Sequence, residues 1–296
     1  MKKGNWYVDD YFANTHTYHR IKKEIIRKKT KYQRVEIFDL YDFGRSLFID
    51  GNPQSCERTE WIYHECLVHP AILLGSIEKN KKILVLGAGE GATARELLKY
   101  KNVGEIILID IDEEAIEIFR RYLPMMHRGS FDNPKVRLLF GNAGDFLAKS
   151  KEKYDVIISD ITDLDFFNLG AKARKTEEKF YRLIAARLKK DGILAMHAGE
   201  LSCNKNKKHL HLRSFLKKIF PSIYSYKACI PFFENEWGFI IASQNKKLNP
   251  RKLSEKDIEK RIARCGIENK LEYLSPAMLK ASFSFSPRLE KILEKY

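Results

Sequence analysis

Several features common in other protein classes are missing from this 296-residue chain. The longest apolar run of its first half, Leu67–Leu74, is broken by His69 and Pro70. It falls far short of the roughly 20 apolar residues a membrane-spanning helix needs. Met1-Lys2-Lys3-Gly4-Asn5-Trp6 lacks the apolar core of a secretion signal, so a cytoplasmic location is expected. Five scattered cysteines (Cys56, Cys66, Cys203, Cys229, Cys265) form no CxxC pair. That excludes a disulfide framework and a structural zinc ribbon, and implies reduced thiols. His64 and His69 have no third ligand at a sensible spacing, so no metal is expected. Internal repeats and low-complexity linkers are also missing. Acids are the minority charge: 39 Asp and Glu against 54 Lys and Arg leave a net +15. The basic clusters at Arg20–Arg34, Lys205–Lys218 and Lys246–Arg264 lack interleaved aromatics. They read as solvated faces, with no nucleic-acid or membrane partner expected.

What is present is an alternation of strand-like and helix-like segments. Tyr32–Phe38 and Arg45–Asp50 read as strands of a small antiparallel sheet, the second ending in the turn signal Asp50-Gly51-Asn52-Pro53. Thr59–Leu74 reads as a helix with Trp61, Ile62, Cys66 and Leu67 on an apolar face. Strands then fall at Lys82–Leu86, Glu105–Asp110, Val136–Phe140, Tyr154–Asp160 and Gly192–His197. The helices between and after them are Thr93–Tyr100, Glu113–Tyr122, Ala143–Ser150, Glu177–Leu188 and Leu210–Phe220. Ile223–Ile230 and Gly238–Ser243 read as a late hairpin, and the basic tail from Asn249 as helices packed on the outside. The fold expected is α/β: a Rossmann-like, class I methyltransferase-like doubly wound sheet over 58–296, preceded by a small antiparallel β domain over 1–57.

Ligands of such sheets bind beyond the carboxyl ends of the strands. The first of these ends is Gly87-Ala88-Gly89-Glu90-Gly91-Ala92, a turn that brings bare backbone to a nucleotide and fits a dinucleotide fingerprint as well as an S-adenosyl donor loop. Asp110 closes the next strand, where an acid accepts from ribose hydroxyls. Glu90 is out of place beside a phosphate and suits a cation. Asp160 and Asp163 follow the fourth strand, and two acids there also suit a cation. Glu60, Glu65, Glu90, Asp110, Asp112, Asp160 and Asp163 all map near one cleft. Tyr63 offers a hydroxyl and an aromatic face to an ammonium. Trp237 is either core or the wall of an apolar channel.

The order and spacing of Tyr32-Gln33, Phe43-Gly44, Asp50-Gly51, Gln54, Tyr63-His64-Glu65, Gly87–Gly91, Asp110-Ile111-Asp112 and Asp160-x-x-Asp163 resembles the polyamine aminopropyltransferases, the spermidine synthase family. The stretch Tyr63–Ala71, the Gly-Glu-Gly loop and Trp237-Gly238 look most like its thermospermine synthase branch. The resemblance implies transfer of an aminopropyl group from decarboxylated S-adenosylmethionine, a co-substrate rather than a resident cofactor, to an amine such as putrescine, agmatine or spermidine. It implies Asp160 as catalytic acid with Tyr63 assisting, Asp163 and Glu90 on charged nitrogens of substrate and donor, and His64 and Phe233 beside the acceptor, with Trp237 as the wall of its channel. Gln33, Gly87, Gly89, Asp110, Asn142 and Ala143 would hold the donor. It also implies a homodimer or homotetramer. Asn142-Ala143 replaces the usual Asp-Gly, and His197 a usual glutamine. Two other readings stay open: an S-adenosylmethionine-dependent methyltransferase, and a catalytically silent homologue that binds polyamines or acidic partners.

Overall fold

The computed structural model describes residues 5–12, 15–76, 78, 80–161 and 170–296. Strands β1 (Trp6–Phe12), β2 (Thr15–Lys29), β3 (Arg34–Leu40), β4 (Gly44–Ile49) and β5 (Asn52–Cys56) pair in sequence order as an antiparallel sheet. Sequence patterning reveals only β3 and β4. The fifteen-residue β2 escapes it because its Lys and Arg side chains stand exposed along most of its length, which removes the apolar alternation. The turn into β5 is made by Asp50 and Gly51, both with positive φ. Asn52 and Pro53, expected as turn, already belong to the edge strand, where a proline is tolerated.

Helix α1 (Glu60–Leu74) leads into β6 (Lys81–Leu86), α2 (Ala92–Leu98), β7 (Val103–Asp110), α3 (Glu113–Tyr122), α4 (Pro124–His127), β8 (Val136–Phe140), α5 (Ala143–Lys149), β9 (Tyr154–Ser159), α6 (Gly170–Arg187), β10 (Leu188–Glu200), α7 (Lys207–Leu216), β11 (Ser222–Ile230) and β12 (Asn235–Ser243). The seven strands lie in the order β11-β12-β10-β9-β6-β7-β8. The five from β10 to β8 are parallel, and the β11–β12 hairpin is antiparallel at one edge. The Rossmann-like, doubly wound sheet is therefore present. Its strand order reverses between β6 and β9, which puts the ligand-binding crevice beyond Leu86 and Ser159, a directly paired couple.

Two expectations change. Helix α1 has no single apolar face, since every residue but Trp61 is buried. The tail, α8 (Glu255–Cys265), α9 (Pro276–Ser282) and α10 (Pro287–Lys295), does more than coat the outside. Ile258, Ile262, Cys265, Leu274, Leu279 and Phe283 join α1 and the sheet in the main core. Among the described residues no helix is long and apolar enough to cross a membrane.

Candidate active site

The crevice holds two adjoining chambers. The larger, of about 380 Å³, is lined by Gln33, Gly87, Gly89, Asp110, Asn142 and Ala143, all expected there, and by Thr176, Lys179 and Phe180 of α6. The narrower, of about 100 Å³, is lined by Tyr63, His64, Glu90, Asp160, Phe233 and Trp237, also expected, with Asp9, Gln54 and His197. Ile49, Gly89, Phe119 and Asp160 border both. Asp163 lies outside the described residues.

Asp160 sits at this junction because it directly follows β9. Its N–H continues the ladder to the Leu86 carbonyl at 2.8 Å. Tyr63 of α1 donates to Oδ1 at 2.7 Å, and Thr93 of α2 donates to Oδ2 at 2.9 Å. Each oxygen keeps a lone pair for a further donor. Burial, then the Asp160 charge, push the Tyr63 phenol well above its ordinary value, so it stays a neutral donor. Gly87 is required here for two reasons. Its φ is +88°, and a Cβ would lie 2.3 Å from the Asp160 carbonyl oxygen. Above Gly89 nothing lies within 4 Å, which leaves room for a ligand against bare backbone.

In the larger chamber Asp110 accepts from the Ala88 N–H (2.8 Å) and the Asp112 N–H (2.9 Å). Burial pushes its carboxyl upward, opposed by these backbone bonds and one from Gly89. Asp112 caps α3 through Ala115 N–H and accepts from Thr30 Oγ1 at 2.5 Å. Thr30 Oγ1 in turn receives the N–H groups of Tyr32 and Gln33, both at 3.1 Å. This chain of bonds locks the β2–β3 turn onto the glycine loop and brings Gln33 to the chamber. Asn142 is the N-cap of α5, and its amide oxygen accepts from Asp145 N–H at 3.1 Å.

The narrower chamber is walled by aromatics. Trp237 stacks on His197 (6.2 Å, 14°) and meets Phe233 at 4.8 Å, and Phe233 meets Tyr63 edge-on at 5.9 Å. His197 Nε2 lies 2.9 Å from the Ile161 carbonyl. His64 Nδ1 lies 2.7 Å from Glu60 Oε2, and its Nε2 lies 3.3 Å from Glu90 Oε1. Burial works against charge on His64, but the bond to Glu60 and the charge of Glu90 outweigh it and push the imidazole up to about 9.

The expected gathering of seven acids is smaller than the sequence implies. Glu65 faces away from the crevice and accepts the N–H groups of Glu272, Tyr273 and Leu274. Glu60 is clamped by Arg95, and Asp112 is used as a cap. Glu65, His69 and Glu96 do bring ligand-type atoms within 4.8 Å of one another. Each is already engaged: His69 with Tyr100 and Glu96, Glu96 with Lys99 and Arg95, Glu65 with the tail. They form an ionic network.

Asp9 was missed in the sequence because β1 carries no recognisable pattern. Thr93 and the α6 residues carry no motif, and only the fold brings them to the crevice.

Comparison with known proteins agrees with this arrangement. Residues 60–252 match the spermine/spermidine synthase domain, and residues 5–57 the spermidine synthase tetramerisation domain. The chain is 36% identical over 265 residues to polyamine aminopropyltransferase 2 of Pseudomonas aeruginosa, covering 90% of this chain and 74% of that protein. It is 33% identical over 295 residues to the polyamine aminopropyltransferase of Sulfurisphaera tokodaii, covering 100% and 95%. The crystal structure of spermidine synthase from Thermotoga maritima superposes with a TM-score of 0.86 at 26% identity, over 100% of this chain and 96% of that one. A spermidine synthase in complex with the transition state analogue AdoDATO gives the same TM-score and identity, over 100% and 97%. With both sheets matched and the crevice at their shared junction, the chain belongs to the spermine/spermidine synthase family.

Proposed function

We propose that this protein transfers an aminopropyl group from decarboxylated S-adenosylmethionine to a linear amine, with putrescine, agmatine and spermidine as the candidate acceptors. The observation that carries this reading is Asp160, a carboxylate fixed by two side-chain donors where a nucleoside-sized chamber meets a narrow aromatic one. In this reading residues 1–57 and 58–296 act as two units that close on one crevice. The larger chamber takes the donor. Asp110 and Gln33 hold its ribose region, the glycine loop its sulfonium arm, and Asn142-Ala143 its adenine. The narrower chamber takes the acceptor between Phe233 and Trp237, with Glu90, and by family resemblance Asp163, meeting charged nitrogens of donor and acceptor.

The acceptor amine is an ammonium near neutral pH, with a reference pKa of roughly 10 by analogy with lysine. It needs a free lone pair to attack. Asp160 holds the amine, and Tyr63 holds Asp160. As the N–C bond forms at the carbon next to sulfur, the C–S bond breaks and its electron pair returns to the sulfonium. The leaving group is neutral 5′-methylthioadenosine, so no general acid is required. Asp160 takes one proton from the ammonium to free that lone pair for attack, and the secondary ammonium that forms carries the positive charge the sulfonium gives up. Holding nitrogen in line with the C–S bond supplies much of the rate.

The protein is read as a homo-oligomer joined through the five-stranded sheet, supported by the match to the tetramerisation domain. All five cysteines are free, which fits a cytoplasmic site of action. Incubation with decarboxylated S-adenosylmethionine and a panel of putrescine, agmatine, spermidine and norspermidine tests the activity. Methylthioadenosine release with at least one amine is expected. No release with any of them overturns the reading, and methylation from intact S-adenosylmethionine would establish a methyltransferase instead.

A further inference from the structure

His64 presents a paradox if the narrow chamber binds amines, because it is a cationic side chain in the wall of a site for cations. Its surroundings explain it. Glu60 and His64 lie one turn apart on α1, and both are buried. His64 Nδ1 is within reach only of acceptors on Glu60, the carboxylate at 2.7 Å and the carbonyl at 2.9 Å, so Nδ1 carries a hydrogen. Arg95 grips the same carboxylate with both terminal nitrogens, at 2.6 and 3.0 Å. The guanidinium is itself fixed by the Met126 carbonyl at 2.6 Å and by Glu96 at 2.9 Å. The other imidazole nitrogen, Nε2, faces Glu90 Oε1 at 3.3 Å, and that buried oxygen has no hydrogen-bond partner.

The groups that act on His64 come from every side. Glu60 lies on its own helix, Glu90 on the glycine loop and Asp160 beyond β9, and all three favour the charged ring. The Tyr63 phenol ring stands edge-on at 5.1 Å. Arg95 of α2 lies behind Glu60. A buried carboxylate such as Glu90 is costly unless a cation balances it.

We propose that Glu60 and Arg95 are positioning residues for the acceptor chamber: they hold His64 as an imidazolium, and its Nε2 pins the Glu90 carboxylate in one place for the incoming ammonium. The inference rests on the proposed function, since it gives the chamber an amine to receive. The paradox is then resolved, because His64 cancels the charge of Glu90 while the chamber is empty. Over neutral pH the acceptor meets an unchanging wall. Removing the Glu60 charge leaves only Glu90 and Asp160 to oppose burial, so the ring loses its proton more readily and Glu90 loses its counter-charge with it.

The test combines kinetics with a titration. In Glu60→Gln the KM for the amine is expected to rise about tenfold, the scale of a lost charge-assisted hydrogen bond. It should also become pH-dependent between pH 6 and 8, while kcat and the donor KM change little. Arg95→Lys, which keeps one charge but loses the two-handed grip, should give a smaller rise with the same pattern. In the wild-type protein, ¹⁵N NMR of the imidazole should show both nitrogens of His64 protonated at pH 7.5. A neutral His64 at that pH overturns the inference, and so does a Glu60→Gln enzyme whose amine KM stays at the wild-type value with a flat pH profile. If Glu60→Gln does not fold, the wild-type titration and Arg95→Lys decide. If wild-type protein consumes none of the amines, the proposed activity fails, while the titration still decides the state of His64.

Discussion

The phenol of Tyr63 donates to Asp160 across 2.7 Å, joining the buried helix α1 to the end of β9 over 97 residues of sequence. This bond and the one from Thr93 orient the carboxylate whose role in proton transfer we propose. Asp160→Asn should lower turnover roughly a thousandfold while donor binding, measured by calorimetry, persists. Tyr63→Phe keeps the ring and removes the donor, so a loss of about a hundredfold in kcat is expected. Near-normal turnover in Asp160→Asn would refute the assignment.

Gly87→Ala should be as damaging as a change to the carboxylate itself. A methyl group 2.3 Å from the Asp160 carbonyl oxygen forces β6 and β9 apart at the one place where the two chambers meet. The expected outcome is loss of both turnover and donor binding, measured on protein whose circular dichroism is still that of a folded chain.

Asn142 already uses its amide oxygen to cap α5. A carboxylate there could cap with one oxygen and offer the second to a donor group on the base. Asn142→Asp should therefore lower the donor KM by about tenfold, the low end of the value of one hydrogen bond to a charged group. Initial rates at saturating amine provide the measurement.

Two buried histidines move in opposite directions and bracket the pH range of stability. His64 is pushed up to about 9, so its contribution is full below the unfolded value of roughly 6.5 and is lost as pH rises through 9. His209 is fully buried against Ser225, and burial followed by the nearby Arg213 lower it to about 3. Its contribution is full above roughly 6.5 and is lost as pH falls toward 3. Thermal midpoints across pH should thus decline on both sides. His64→Gln should flatten the alkaline limb and His209→Gln the acid limb.

Trp6, Val8 and Tyr18 are 42%, 47% and 60% exposed. Cross-strand pairing of Val8 with Tyr18, two residues from Trp6, puts them on one face of β1 and β2. If this sheet joins subunits, Trp6→Ser with Tyr18→Ser should reduce the mass seen by sedimentation equilibrium. An unchanged mass would move the subunit contact elsewhere.

The parts of the fold legible in the sequence were those with a period. The parallel strands around Leu84 and Ile107 are apolar throughout and stop at glycine or aspartate, so the crevice and the junction of Gly87 with Asp160 could be located. The β2 strand was not legible, because its exposed lysines and arginines carry no alternation. Glu65 was misplaced for a different reason. Each step along a helix turns about 100°, so Tyr63 and His64 reach the crevice while Glu65 points to the opposite side of α1. Asp9 needed the β1–β2 pairing to bring it to the chamber, and no local pattern reports such a pairing.

Glu65 follows His64 in the chain, yet its partners are the N–H groups of Glu272, Tyr273 and Leu274, at 2.6, 2.9 and 2.9 Å. During synthesis α1 leaves the ribosome long before these three residues exist. Until they arrive, a carboxylate destined for full burial lacks its three hydrogen-bond donors and has only the Lys99 ammonium, 3.6 Å away, to balance it, which leaves the helix that carries Tyr63 and His64 less stable. The narrower chamber is therefore expected to reach its finished form only once the tail has docked, so a chain cut before Glu272 would possess every residue of the proposed chemistry and lack a stable place to perform it.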